Sequence, residues 1–544
     1  MSLAPAVQKV VEPEHRRLLT DLKDVSRAQQ RVLGEILQAN QATGFGRRHE
    51  FARLHDPERY CAKVPLHRYE DLASEIESMA AGEKNGLCGE AVCLFEETSG
   101  SSAAAKLIPH TRSSLHAFRR ALYPWLADLL HARPALAAGR WYWGLSPVMR
   151  APRQTRGGIP IGVIDDAYYF GESLGRYLAS LSVMPPAVAG LRQLEAWRYL
   201  SLRYLIAAAD LSLVSVWSPT FLTALLEAMA AHAGELVRDV ADGTISAGRE
   251  AATASHGAML APDRERAAAL ERALSANKLD TSVLWPRLDT ISCWTDAGAR
   301  RFVPALQAAF PQARIQGKGL LATEGVVSIP LTGWPFPVLA VNSAFFEFLD
   351  DGDRSYLAHE LCEGQAYRVV MTTYGGLYRY DTGDYVRMRG WAHSAPMLEF
   401  IGRGTLVSDV CGEKLVESFV LERLPVKDGF AMLAPGLRPV PHYVLFLDAA
   451  RVDDAQASAF ARQTDRALAE NPQYDYARRL GQLKAVRACR VHQPMNTYME
   501  YANANGQRLG DIKPPVLRPE TDWETRFIAV DKLTVSWQAR RAEP

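Results

Sequence analysis

The chain is 544 residues long, 48% hydrophobic and almost neutral, with 62 Lys+Arg against 61 Asp+Glu. That length supports two or more domains with their own cores, and balanced charge without a basic block excludes nucleic acid as a main partner. Residues 1–17 lack the apolar core of a signal peptide, and the most apolar long stretch, 199–217, carries Arg203 and Asp210, which argues against a membrane span. Seven scattered cysteines with no Cys-x-x-Cys pair fit a reducing cytoplasm with free thiols, not a disulfide scaffold or a zinc site.

Along the chain, apolar spacing at Leu18, Leu19, Leu22, Val25, Val32, Leu33, Ile36 and Leu37 predicts helix over 14–40. The Gly-rich run Thr43-Gly44-Phe45-Gly46 stops it. Strand character at 91–95, 141–145 and 211–217 alternates with helical patterns at 113–130 and 221–231, and the Ala-rich stretch 222–280 reads as mostly helical. Strands return at 290–294, 313–316, 338–341, 365–372 and 385–389. This alternation predicts an α/β fold with large sheets. After residue 404 a smaller α+β unit follows: strand 442–448, helices 455–470 and 474–483, strand 485–492. The expected organisation is a large domain over 1–404 and a small mobile domain over 405–544. Gly402-Arg403-Gly404-Thr405 joins them, where glycines flanking an arginine suit a hinge. No internal repeat or coiled coil is visible.

Four segments carry candidate chemistry. The first, Thr98-Ser99-Gly100-Ser101-Ser102-Ala103-Ala104-Ala105-Lys106, is a run of small and hydroxyl residues closing on a lysine. Small side chains let backbone N–H groups approach a phosphate, and Lys106 adds a mobile positive charge. It lacks the Walker A spacing, and alone it reads equally as a Ser/Ala-rich linker. In the second, Gly319 to Gly325, a Thr323-Glu324 pair at a strand end can reach into a cleft and its carboxylate can hold magnesium. Alone it reads as a surface turn. In the third, Gly376 to Asp384, an aspartate after a tight Thr-Gly turn can accept hydrogen bonds from ribose hydroxyls; alone it is a β-hairpin turn capped by Asp381. The fourth, Phe400-Ile401-Gly402-Arg403 through Gly412-Glu413-Lys414, places a basic residue across the hinge; alone, Glu413-Lys414 is a solvated pair.

In this order and over this span, the four segments resemble the acyl acid amido synthetase family, best known from the auxin-responsive enzymes of plants and found also in bacteria. That family belongs to the adenylate-forming superfamily. The resemblance extends through Asn40-Gln41-Ala42-Thr43-Gly44-Phe45-Gly46, Val64 to Leu72, Gly158 to Gly162, Ser215 to Pro219, Leu284 to Leu288, and Gly506 to Pro515. It implies a luciferase-like architecture and an ATP- and Mg2+-dependent ligase. Such an enzyme converts a carboxylic acid to an acyl-adenylate and passes the acyl group to an amine, often an amino acid. Ser99, Ser101, Ser102 and Lys106 match its phosphate loop. Thr323 and Glu324 match the second motif, with Glu324 the metal ligand. Asp384 matches the ribose-binding aspartate, and Arg403 is grouped with the nucleotide-binding residues. Lys414 matches a lysine near the α-phosphate, and Lys513 a lysine that enters the site in one domain orientation.

Ala103 to Ala105 depart from the family, where a glycine is usual, and Thr405 replaces an Asn or Asp. The Ala-Thr-Glu form of the second motif resembles the bacterial members. Trp141, Tyr142, Trp143, Tyr168, Tyr169 and Trp217 are possible acyl-pocket liners, with Trp143, Tyr169 and Trp217 foremost; each also reads as core. The expected protein is a cytoplasmic monomer acting on small molecules. The alternatives are an acyl-CoA ligase of the same superfamily and a catalytically weak acid-binding protein. Gly171-Glu172-Ser173-Leu174-Gly175 spells a hydrolase nucleophile elbow, which needs a strand–turn–helix setting.

Overall fold

The computed structural model of the chain describes residues 4–98, 106–143, 153–162, 166–185, 188, 191, 193–246, 260–274, 279–404 and 406–527. They fall into two compact units. The first takes in described residues within 1–217, 225–294 and 310–400, and the second those within 218–224, 295–309 and from 401 onward.

The first unit opens with two helices rather than one, α1 (Ala4–Asp21) and α2 (Val25–Asn40). The break falls at Lys23-Asp24 because Asp24 caps α2, its side chain accepting from the Arg27 N–H. Thr43 likewise starts a short helix, Gly44–Arg48, by accepting from the Gly46 N–H. Glycine is needed there, since a Cβ on Gly46 would lie 2.1 Å from the Asn40 carbonyl oxygen. Strands β1 (Val92–Glu97) and β2 (Leu107–Thr111) form an antiparallel ladder, and α3 (Arg112–Ala132) leaves β2 directly, capped by Thr111.

Two large sheets organise the rest. The first holds β3 (Arg140–Trp143), β4 (Leu211–Ser215), β5 (Thr290–Cys293) and β6 (Arg314–Gly317), side by side in that order and all parallel. Its central strands β4 and β5 are buried along their whole length, as parallel strands covered on both faces must be. The second sheet has seven strands, in the spatial order Ser328–Ile329, Val338–Leu339, Ala395–Arg403, Tyr380–Ala392, Ala366–Thr372, Phe345–Leu349, Ser355–Leu357. The strand expected at 385–389 is far longer, Tyr380–Ala392, and begins inside the third motif, taking in its Tyr380–Asp384 end. Thr382-Gly383 is a bulge, not a hairpin turn. Gly383 takes φ +71°, and the pairing with Ala366–Thr372 slips between Arg368 and Val370. Phe345–Leu349 escaped the sequence reading because it is buried at every position, so no alternation marks it.

The second unit is a three-stranded sheet, Ala431–Gly436, His442–Asp448 and Arg487–Val491, with helices Asp454–Leu468, Pro472–Arg479 and Pro494–Ala504. Arg301 shows why an upstream segment belongs to it. Its buried guanidinium donates to the Ala431 carbonyl at 2.7 Å and the Pro515 carbonyl at 3.0 Å.

Candidate functional site

The small-residue segment closes the β1–β2 ladder. Glu97 pairs with Leu107, and the Thr98 N–H donates to the Lys106 carbonyl at 3.0 Å, so the two ends of the segment are held together. Ser99, Ser101, Ser102 and Ala103 to Ala105 lie outside the described residues. Lys106 is half-buried, with its ammonium 3.2 Å from Glu70 Oε1 and 5.3 Å from the centre of the Tyr69 ring. An ion pair this open to water contributes about 0–1 kcal/mol, so little opposes its exchange for a ligand phosphate.

Thr323 and Glu324 form the two-residue turn between the short antiparallel strands Leu321–Ala322 and Gly325–Val326. It is no ordinary surface turn, because Glu324 is only 8% exposed. The approach to the turn is set by Gly319, at φ +74°, where a Cβ would sit 2.4 Å from the Ser328 carbonyl oxygen. Near it lies a residue the sequence reading missed. His110 on β2 is 1% exposed, and neither ring nitrogen makes a hydrogen bond among the described residues. Burial pushes its imidazole down to about 4, offset in part by the Thr323 backbone, so the ring is neutral at physiological pH. Its neighbours are the rings of Phe118 at 5.5 Å and Tyr169 at 6.3 Å. The Tyr169 hydroxyl in turn donates to buried Glu96 at 3.1 Å. The only advance signal for His110 was its place, four residues beyond Lys106.

The carboxyl ends of the parallel strands gather large aromatics. In α/β sheets this is the end where ligands bind. Trp143 ends β3, Trp217 follows β4, and Trp294 follows β5, with Trp217 and Trp294 rings 5.7 Å apart. Lys318 follows β6. Its ammonium donates to Ser215 Oγ at 2.7 Å and lies 5.1 Å from the Trp217 ring centre and 5.9 Å from that of Trp125. Trp143 packs on Trp125 at 6.4 Å and Phe170 at 5.7 Å, and its buried indole N–H has no partner among the described residues. Such an N–H can serve a polar group on a bound molecule. Of the other candidates, Trp141 and Tyr142 are core, Trp141 donating to the Leu136 carbonyl, while Tyr168 is exposed. Tyr169 and Trp217 are half-buried.

In the third motif the two aspartates divide the work. Asp381 accepts from the Gly383 N–H at 3.0 Å and pairs with Arg368 at 3.1 Å, which fixes the bulge. Asp384, 1% exposed, has its backbone N–H held by Thr382 Oγ1. Arg379 is structural. At φ +44° it is buried against Glu347, donating to its carboxylate from Nε at 3.0 Å and Nη2 at 2.7 Å, and it also donates to the Val64 carbonyl at 2.7 Å.

The second unit carries the remaining basic candidates. Lys414 is exposed and takes φ +46°, just after Glu413, whose buried carboxylate accepts from the Val410 and Cys411 N–H groups and the Tyr443 hydroxyl. Arg403 and Lys513 both act on Glu417. Burial raises that carboxyl above its usual range, while the positive charges of Arg518, Lys513 and Arg403 oppose the rise. Arg403 and Lys513 thus both lie within electrostatic range of Glu417. Thr405 lies outside the described residues.

The Gly171–Gly175 segment lacks the setting of a nucleophile elbow. A 3-10 helix, Asp166–Phe170, precedes it in place of a strand, and Gly171 caps the helix Glu172–Leu181. His359-Glu360 is exposed at the end of a single 3-10 turn, and the Cys411 thiol is half-buried, with burial raising its pKa.

Compared with known proteins, residues 14–315, 337–403 and 414–521 match, in that order, the GH3 family N-terminal, central and C-terminal domains. A probable indole-3-acetic acid-amido synthetase, GH3.2 of Oryza sativa subsp. japonica, is 26% identical over 457 residues, 78% of this chain and 73% of that protein. The indole-3-acetic acid-amido synthetase GH3.2 of Arabidopsis thaliana is 27% identical over 422 residues, 72% of this chain and 76% of its own. Among solved structures, the AtGH3.15 acyl acid amido synthetase in complex with 2,4-DB superposes with a TM-score of 0.83 at 19% identity, covering 94% of this chain and 96% of that one. A 2-hydroxyisobutyryl-CoA ligase in its postadenylation state shares the fold more distantly, with a TM-score of 0.51 at 13% identity over 95% and 92% of the two chains.

Proposed function

The chain belongs to the GH3 family, and from that premise we propose that it is an ATP-dependent acyl acid amido synthetase. It joins a carboxylic acid to AMP with release of pyrophosphate, then transfers the acyl group to an amine, an amino acid in the first instance. The observation that carries this reading is the ordered match of all three family domains over most of the chain. Free cysteines support a cytoplasmic setting, and the Ala322-Thr323-Glu324 motif supports a bacterial member.

The chemistry assigns the residues. A carboxylate resists attack because its leaving group is oxide, and activation as a mixed anhydride supplies a better one. Holding acid and ATP in line recovers about 7–11 kcal/mol of barrier through positioning. Ser99, Ser101, Ser102 and Lys106 bind the phosphates, Asp384 the ribose, and Arg403, Lys414 and Lys513 supply further positive charge to the nucleotide. Thr323 and Glu324 suit Mg2+, because a buried carboxylate beside a hydroxyl is an oxygen donor set for a hard cation. When bound, Mg2+ neutralises charge on the transferring phosphoryl group. Trp143, Tyr169 and Trp217 are the candidate liners of the acyl pocket, which is expected to be apolar with a few polar groups.

Carboxylate-dependent ATP–pyrophosphate exchange tests the reading, with indole-3-acetic acid, aryl acids and fatty acids as the panel. Product mass is then read after mixed amino acids are added. Exchange with formation of an acid–amino acid amide is the expected result. Exchange without amide, but with a thioester when CoA is supplied, would assign the chain to acyl-CoA ligation instead.

A further inference from the structure

Away from these residues, α1 and α3 bring three metal-ligating side chains together. Glu12 and His15 are three residues apart on α1, so both lie on one helix face. His131 stands in the last turn of α3. Glu12 Oε2 is 3.3 Å from His131 Nε2, and the rings of His15 and His131 are 5.3 Å apart. One ligand atom from each residue lies within 4.8 Å of the other two. His15 is 7% exposed and makes no hydrogen bond among the described residues, its buried Nδ1 included. A buried imidazole without a partner is costly unless something satisfies it.

We propose that Glu12, His15 and His131 bind one divalent transition-metal ion, with Zn2+ the best fit, and that the ion ties α1 to α3. Two imidazoles and a carboxylate suit Zn2+, with bonds of about 2.0–2.1 Å and water in the fourth position. Tetrahedral closure at that bond length brings donor atoms to about 3.3 Å, so the cluster needs only side-chain rotation. The carboxylate is already oriented, because Arg16 Nε donates to Glu12 Oε1 at 2.8 Å and leaves Oε2 facing His131. Asp128, one turn before His131, adds negative charge toward His15 while its Oδ2 accepts from the Thr332 N–H. No cysteine takes part, which is why cysteine spacing carried no sign of the site.

The test is binding of Zn2+ and of Co2+ to the purified full chain and to its His131→Ala and Glu12→Gln variants. His131 and Glu12 are the more exposed ligands, so these variants keep the packing of His15. The expected result is one Zn2+ per chain whose affinity falls at least ten-fold in each variant. A Zn2+-dependent rise in thermal midpoint should be lost in both, and the Co2+ spectrum should show tetrahedral d–d bands without a thiolate charge-transfer band. Equal affinity in the native chain and both variants would overturn the proposal, as would a thiolate band unchanged by His131→Ala. None of these readouts depends on the acid or on adenylation, so the site can fail while the proposed function stands, and the reverse.

Discussion

At the scale of single residues, His110 and Glu324 make the sharpest predictions. The unfolded imidazole gains its proton near 6.5, whereas buried His110 does so only near 4. Its contribution is therefore whole above about pH 6.5 and is lost as the pH falls through 6.5 toward 4, by about 3 kcal/mol in all. Urea midpoints at pH 7.5 and 5 should thus differ more in the native protein than in His110→Phe, which has no proton to gain. Glu324→Ala should slow acid-dependent pyrophosphate exchange about 100-fold, the scale of losing one group that stabilises transition-state charge. The Mg2+ concentration needed for half-maximal exchange should rise with it, and a rate loss at unchanged Mg2+ dependence would remove Glu324 from the metal site. Glu324 was visible beforehand in a short motif. His110 was not, because burial and an unsatisfied ring are tertiary properties.

At the scale of elements, the third motif shows how a local pattern can be read in the wrong setting. Thr382-Gly383 carries turn chemistry, but a long paired strand absorbs it as a bulge. The same segment holds the Arg379–Glu347 pair, buried and donating through two guanidinium nitrogens. Removing one partner of such a pair strands a charge. Arg379→Leu should therefore cost about 3–5 kcal/mol, read as a fall in thermal or urea midpoint, while a surface control such as Arg53→Ala stays within about 0.5 kcal/mol. The parallel strands β3 to β6 were each located within two residues from apolar runs alone. Their shared carboxyl edge, where Trp143, Trp217, Trp294 and Lys318 assemble, could not be read, because nothing in a single sequence states the order of strands in a sheet.

At the scale of the whole molecule, division into two units assigns the proposed basic residues to a separate body from Lys106, Thr323, Glu324 and Asp384. If Lys513 serves adenylation, Lys513→Ala should lower pyrophosphate exchange about 100-fold, yet leave amide formation from a supplied acyl-adenylate within about threefold. Equal loss of both half-reactions would make Lys513 a structural residue of its unit. The second unit also draws on 218–224 and 295–309, short segments far upstream of its main body. Arg301 holds one of them by bonding to backbone carbonyls, a contact with no counterpart in local sequence.

The sequence by itself determined the family, the α/β class, the positions of most strands, and motifs such as Thr323-Glu324. Each rests on local patterns of apolar spacing and on small, hydroxyl and charged residues at short range. Only the tertiary structure decided that Glu324, Asp384 and His110 are buried. It also decided that Trp141 and Tyr142 are core, that the Thr323 backbone is the polar group facing His110, and that Glu12, His15 and His131 meet across two helices. These are matters of burial and of contact between residues distant in the chain, which depend on how elements pack against one another.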